Sequence, residues 1–160
     1  KNYLEYSYAL WTNQMTSPAD HLLLLDESGE KLKYPYWYFD SAAGIIYEVD
    51  VTKPTGHKVI IKSMADGRPF RMDERYMVAM NSYRAHGGGG LLTEGAGITH
   101  EQMLERIEYT TTADLRFYML NYIEMHKTIT PQSLHQWHFV PERWVVPAIQ
   151  RDSALISNTR

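Results

Sequence analysis

Asn81, Ser82, Tyr83, Arg84, Ala85 and His86 stand directly ahead of the uninterrupted glycine run Gly87-Gly88-Gly89-Gly90. Glycine loses more conformational freedom on folding than any other residue, so such a run is costly. Chains keep it where the backbone takes positive φ or must let something come close. Tyr83 supplies a flat π-face, Arg84 a fixed positive fork, and the glycines leave room for a flat guest. That grouping suits a nucleotide, with stacking on the base and polar contacts to the rest. Asn81, Tyr83, Arg84, His86, Gly87, Gly88 and Gly89 are therefore the candidate binding residues. A tight or mobile connection after a strand accounts for the same glycines, and a half-buried strand-end tyrosine accounts for Tyr83. No Gly-Lys-Ser/Thr follows, so this is not a phosphate-cradling P-loop, and Leu91-Leu92-Thr93 does not open the helix that a dinucleotide fingerprint needs.

No other part of the chain offers bond-breaking chemistry. The seven histidines are scattered, and only His135 and His138 lie close in sequence, without a neighbouring Asp, Glu or Cys to complete a metal site. No His-Glu-x-x-His element and no Gly-x-Ser-x-Gly elbow occurs. The absence of cysteine removes thiol nucleophiles, disulfides and cysteine-ligated zinc. The chain is thus expected to bind a ligand, with no catalytic residue and no metal ligand of its own.

The elements that must position the glycine run read as follows. Leu4, Tyr8 and Trp11 recur at helical spacing, and Thr16-Ser17-Pro18 breaks that helix. Residues 22–25 are apolar but of uncertain type, and residues 27–31 form a polar turn. Tyr34-Pro35-Tyr36-Trp37-Tyr38-Phe39 reads as aromatic core and loop packing, its proline arguing against a central strand. Ile45, Tyr47, Val49 and Val51 alternate with Glu48 and Asp50, the pattern of a half-buried strand. A turn at Pro54-Thr55-Gly56 leads to a second strand at Val59-Ile60-Ile61, and Asp66-Gly67 is a hairpin signal. Tyr76-Met77-Val78-Ala79-Met80 reads as a buried strand that delivers Asn81 and Tyr83.

Further on, Thr99 with Gln102 fits a capping box ahead of Met103, Leu104 and Ile107. Leu115, Tyr118, Met119, Tyr122 and Ile123 follow a helical period after Thr112, and Thr130-Pro131 closes that helix. Trp137, Phe139, Val140, Trp144 and Val145 are apolar enough to dock on the body, and residues 157–160 fray. Irregular alternation of helices and strands, with antiparallel pairing at the Asp-Gly turn, predicts an α+β class.

The chain has 160 residues, 44% hydrophobic and 22% charged, which suits one globular domain rather than two. A net charge of −3 argues against non-specific binding of a nucleic-acid polymer. No apolar run is long enough to span a membrane. The chain opens inside a helix without an initiator methionine, and is expected to be part of something longer.

Residues 76–90 resemble the signature of the C-terminal domain of the 5'-nucleotidase family, which includes UDP-sugar hydrolases, ecto-5'-nucleotidases and bacterial 2',3'-cyclic-nucleotide 2'-phosphodiesterase/3'-nucleotidases. Phe39-Asp40 followed by Gly44-Ile45-Ile46-Tyr47-Glu48-Val49-Asp50, and Lys1-Asn2-Tyr3-Leu4-Glu5, resemble two further segments of that domain. The resemblance implies a layered α/β/β/α domain over residues 1–150, truncated at its start, with 151–160 as a tail. It implies an exported, periplasmic or cell-surface hydrolase in which a preceding calcineurin-like metallophosphoesterase domain holds two divalent metal ions. The present domain would bind the nucleoside and position it.

By the same resemblance, Tyr83 matches an aromatic that stacks on one face of the base, and its partner aromatic lies upstream of Lys1. One stacked face contributes about 1–3 kcal/mol, which alone means millimolar affinity or weaker. In the 5'-nucleotidase branch the glycine run carries an aspartate that accepts hydrogen bonds from the ribose hydroxyls. Here that position is Gly89, which favours the cyclic phosphodiesterase/3'-nucleotidase branch. Arg84 has two roles open to it, holding the phosphate-bearing ribose or bracing the loop. Three rivals stand beside this reading: a 5'-nucleotidase or UDP-sugar hydrolase, a free-standing nucleotide-binding module, and a degenerate domain in which Tyr83 is buried.

Overall fold

A computed structural model describes residues 1–157. The α+β class holds: helices surround a three-stranded sheet of order β2-β1-β3. The central strand β1, Ile45–Asp50, pairs antiparallel with β2, Val59–Met64, and parallel with β3, Trp137–Val140. The alternation read from the sequence is realised, with Tyr47, Val49 and Val51 fully buried. A bulge shifts the β1–β2 register between Ile46 and Tyr47, so Ile45 is only partly buried, while from Tyr47 onward one register commits the alternate residues to the core.

Helix α1, Asn2–Trp11, covers that face. Tyr8 is fully buried, its ring meeting Phe39, Tyr47, Trp137 and Phe139 edge-on at centroid distances of 5.2 to 6.3 Å. Edge-to-face aromatic packing of this kind adds to simple area burial. Trp11 stacks on Phe39 at 4.1 Å, so the aromatic stretch is core at its end. Tyr36, Trp37 and Tyr38, in a single 3-10 turn, stay exposed. From the C-terminal part, Val145 and Ala148 of α5, Glu142–Ser157, join the same cluster with Phe139 of β3.

That helix runs past residue 150, where a tail was expected to begin. Asp152 is buried, and its carboxylate accepts the backbone N–H groups of Leu22 and Leu23 at 2.8 and 3.1 Å. It also lies 2.6 Å from Nδ1 of His21. A buried carboxylate that satisfies two main-chain donors anchors the helix to the body. Of the expected frayed end, residues 158–160 lie outside the described residues.

Three local expectations are corrected. Residues 76–80 are not a buried strand: they belong to no sheet, and Met77 and Val78 are 78% and 65% exposed. Apolar composition suggested burial, but strand formation needs a pairing partner, and β2 pairs only with β1 among the described residues. The hairpin is accordingly the β1–β2 connection, while Asp66-Gly67 closes a tight turn in which Met64 N–H donates to the Arg68 carbonyl. Helix α4, Leu115–His126, forms after Thr112 where its period predicted, with Asp114 as its N-cap, but it ends at His126, short of Thr130-Pro131. No residue of α4 is buried. The Thr99/Gln102 capping box is present at the start of α3, His100–Glu105, and among its apolar residues only Met103 is buried.

One buried cation makes stability depend on pH. Lys58 is 1% exposed and donates from Nζ to the Thr12 carbonyl, Thr12 Oγ1 and the Asn13 carbonyl at 2.7 to 3.1 Å. Burial pulls its ammonium down to about 8, with the Glu5 carboxylate opposing. Between pH 8 and pH 10 the unfolded chain therefore holds more protons at Lys58 than the folded one, so stability rises with pH there. Chemical denaturation should show a gain of about 1–3 kcal/mol over that window, lost in Lys58→Met. Above it the trend reverses, because burial raises the phenols of Tyr3 and Tyr8 and their ionisation then opposes folding.

Candidate nucleotide-binding site

The glycine run sits on a scaffold built by local capping. Asn81 lies in extended conformation, and its side-chain oxygen accepts the Arg84 N–H at 2.8 Å, starting the one-turn helix α2, Ser82–Ala85. This is the ordinary N-cap role of asparagine. His86 follows the helix, its Nδ1 2.7 Å from the Ser82 carbonyl. The chain then turns through Gly87, Gly89 and Gly90, all at positive φ between 75° and 87°. From Leu91 to Gly95 a π-helical turn packs on α1, where Tyr6 Oη donates to Glu94 at 2.5 Å and Gly95 admits the Tyr6 side chain.

Tyr83 is 60% exposed, the opposite of a ring wedged into the interior. The ring lies against bare backbone: a Cβ on Gly88 would come within 2.5 to 2.6 Å of its Cδ2, Cε2 and Cζ. A side chain at position 88 would displace the ring, whereas Gly88 seats it and leaves most of it open to solvent. The arrangement is a platform rather than a pocket. Two clefts among the described residues lie elsewhere, one of about 380 Å³ beside Ser41, Ser133, His135 and Trp137, another of about 160 Å³ beside Glu5, Tyr6 and Gly56.

Arg84 takes the bracing role. It is 6% exposed, and its guanidinium grips Asp40 with two bonds, Nε to Oδ2 at 2.8 Å and Nη2 to Oδ1 at 3.0 Å. Nη2 also donates to the Tyr38 carbonyl, and Nη1 to the Gly88 carbonyl. Bidentate pairing of this kind fixes the fork in place. Asp40 is held in turn by Tyr3, whose phenol donates to Oδ2, and by a reciprocal pair of hydrogen bonds between Ser7 Oγ and its main chain. Burial and the bond to Asp40 raise the Tyr3 phenol, which stays a donor at neutral pH. With four donors engaged inside the protein, Arg84 is not aimed at the open side of the site.

Of the seven sequence-predicted residues, Tyr83 and His86 present exposed side chains, Asn81 caps, Arg84 braces, and the glycines shape the collar. Sequence reading missed Asp40 as the partner of Arg84. No local sequence signal joins the two, which lie 44 residues apart. His135 and His138 do not form a site: His138 faces Glu48 at 4.0 Å, and among the described residues no three His, Asp or Glu side chains gather to hold a metal. No helix among the described residues is long and apolar enough to cross a membrane.

The family model described as "5'-nucleotidase, C-terminal domain" matches residues 4–94, more than half of the chain. This chain belongs to the 5'-nucleotidase C-terminal domain family. The matched region spans α1, the β1–β2 hairpin, α2 and the glycine collar, so the family assignment and the candidate site coincide. The chain is also similar to the trifunctional nucleotide phosphoesterase protein YfkN of Bacillus subtilis (strain 168), 28% identical over 154 residues. The match covers 88% of this chain and 10% of that protein, so the chain corresponds to about a tenth of its relative's length. No solved structure matches significantly.

Proposed function

We propose that this 5'-nucleotidase C-terminal domain is the substrate-recognition part of an exported nucleotide phosphohydrolase, periplasmic or cell-surface in location, of the 2',3'-cyclic-nucleotide 2'-phosphodiesterase/3'-nucleotidase type. A metallophosphoesterase domain of the same protein would hold the two divalent ions and supply the hydrolytic chemistry. The contribution of this domain is position: it holds the nucleoside so that the phosphoryl group meets the reactive centre in a fixed geometry. The observation that carries the reading is the exposed Tyr83 ring seated on Gly88. Gly88 and the Arg84 guanidinium, its central carbon 5.4 Å from the ring centroid, lie against the ring, and the surface it leaves exposed can stack on a base. The family relation to a nucleotide phosphoesterase supports a nucleotide as the guest.

Gly89 separates the branches. A carboxylate there would accept hydrogen bonds from a free ribose diol and repel a phosphate on the 2' and 3' oxygens. Its absence favours the cyclic or 3'-phosphorylated substrate over a 5'-nucleotide or a UDP-sugar. Comparing rates of the intact enzyme on 2',3'-cyclic AMP, 3'-AMP and 5'-AMP tests that choice, and a preference for 5'-AMP reverses it. Stacking on a single face contributes about 1–3 kcal/mol, so this chain alone should bind AMP, 3'-AMP and 2',3'-cyclic AMP no better than millimolar. Micromolar binding in an NMR titration contradicts the one-faced site.

In the intact enzyme, Tyr83→Ala should lower kcat/KM by about ten- to a hundredfold, the loss of one stacked face, with metal content unchanged. An unaltered specificity constant removes Tyr83 from the site. The same measurement separates a free-standing binding module, for which no hydrolytic rate exists to be lost.

A further inference from the structure

The bare collar at Gly89 has a cause inside the fold. Gly89 carries φ +78°, and an ideal Cβ built on it falls onto Nη1 of Arg84, with Leu91 Cδ1 3.3 Å away. A flexible arginine would normally step aside. This one is buried, holds both oxygens of Asp40, and donates to the Tyr38 and Gly88 carbonyls. Asp40 cannot follow a shifted guanidinium, because Tyr3 and Ser7 fix it from α1. Positions 84 and 89 therefore compete for one volume.

We propose that Arg84, locked by Asp40, is a specificity-determining positioning residue: it fills the space over Gly89, bars any side chain and hence any carboxylate from the collar beside Tyr83, and so tunes the ribose edge of the site to nucleotides phosphorylated on the 2' and 3' oxygens. The proposal rests on the reading of Tyr83 as a base platform. Arg84 acts here through volume and not through contact with the nucleotide, since four of its five N–H donors are already engaged inside the protein. Removing the guanidinium opens the space in which an acceptor for a free 2',3'-diol could stand.

The first test needs no ligand. Gly89→Ala is made in the native background and in Arg84→Leu, and unfolding equilibria are compared. The positive-φ penalty is common to both backgrounds and cancels in the cycle. Gly89→Ala should lower the folding equilibrium constant at least tenfold more when Arg84 is present. If Arg84→Leu does not fold because Asp40 is left uncompensated, Asp40→Asn/Arg84→Leu serves as the second background. Equal cost in both backgrounds overturns the proposal.

The second test reads specificity. Gly89→Asp in the Asp40→Asn/Arg84→Leu background should shift the binding ratio of 5'-AMP over 2',3'-cyclic AMP at least fivefold toward 5'-AMP, against Gly89 in that background. An unchanged ratio also overturns the proposal. Tyr83 ring resonances are followed throughout. If neither nucleotide moves them in the native chain, the platform reading itself fails. A flat stability cycle with those shifts intact overturns the Arg84 role alone.

Discussion

Asp40→Ala is expected to destabilise this domain by about 3 kcal/mol, the low end for removing one partner of a buried ion pair, because the Asp40 side chain is 25% exposed while that of Arg84 is 7% exposed. The guanidinium of Arg84 would keep only the Tyr38 and Gly88 carbonyls, in a site from which solvent is largely excluded. The phenol of Tyr3 would lose its acceptor at the same time. Asp40→Asn keeps an acceptor and removes the charge, so it should fall between the native protein and Asp40→Ala. Chemical denaturation gives the magnitude. Amide exchange gives the location: protection should fall first at residues 84–90, which the clamp holds to α1. Uniform loss of protection across the sheet would mean that Asp40 supports the core in general and not the collar.

Much of this arrangement is legible in the sequence. Period-two alternation placed Tyr47, Val49 and Val51 on one face, and the sheet buries all of them. Helical spacing placed Leu4 and Tyr8 together, and both are core. These patterns are legible because burial of one face fixes every residue on it. Residues 76–80 read wrongly for the converse reason. Val78 and Met80 are apolar, but a strand exists only by pairing, and pairing is a property of two segments. Helix α4 has helical period and caps, yet Phe117, Tyr118 and Ile123 remain exposed. Period announces a helix and does not supply the surface that would cover it.

The site was legible by type and less so by role. The grouping of Tyr83 with four glycines pointed to a flat guest, while Arg84 and Asp40 are separated by 44 residues and no local pattern joins them. Gly88 and Gly89 look identical in sequence, but one makes way for the Tyr83 ring and the other for the Arg84 guanidinium. Only three-dimensional packing separates those reasons.

Glu5 should prove at least as sensitive as Asp40, and for a different physical reason. Its carboxylate, 4% exposed as a residue, accepts the main-chain N–H groups of Lys58 and Val59 at 2.9 and 2.8 Å, and Lys1 Nζ at 3.0 Å. It thereby ties α1 to the first residues of β2, a join between elements some fifty residues apart. Hydrogen bonds from neutral donors to a charged acceptor contribute about 1.5–3 kcal/mol each. Glu5→Ala orphans two buried N–H groups and should cost about 3–5 kcal/mol. Glu5→Gln preserves the shape and one acceptor but turns an NH2 group toward a backbone donor, and should cost about half as much. The comparison separates charge from volume in a denaturation series. If Glu5→Gln equals the native protein, the carboxylate charge contributes nothing and shape alone joins the helix to the strand. If Glu5→Ala costs under about 1 kcal/mol, below the range for even one such bond, α1 is held by its apolar packing and its bonds to Asp40 and Glu94. The hydrogen-bonded join would then play no part in carrying the collar, through Tyr6 and Glu94, on the sheet.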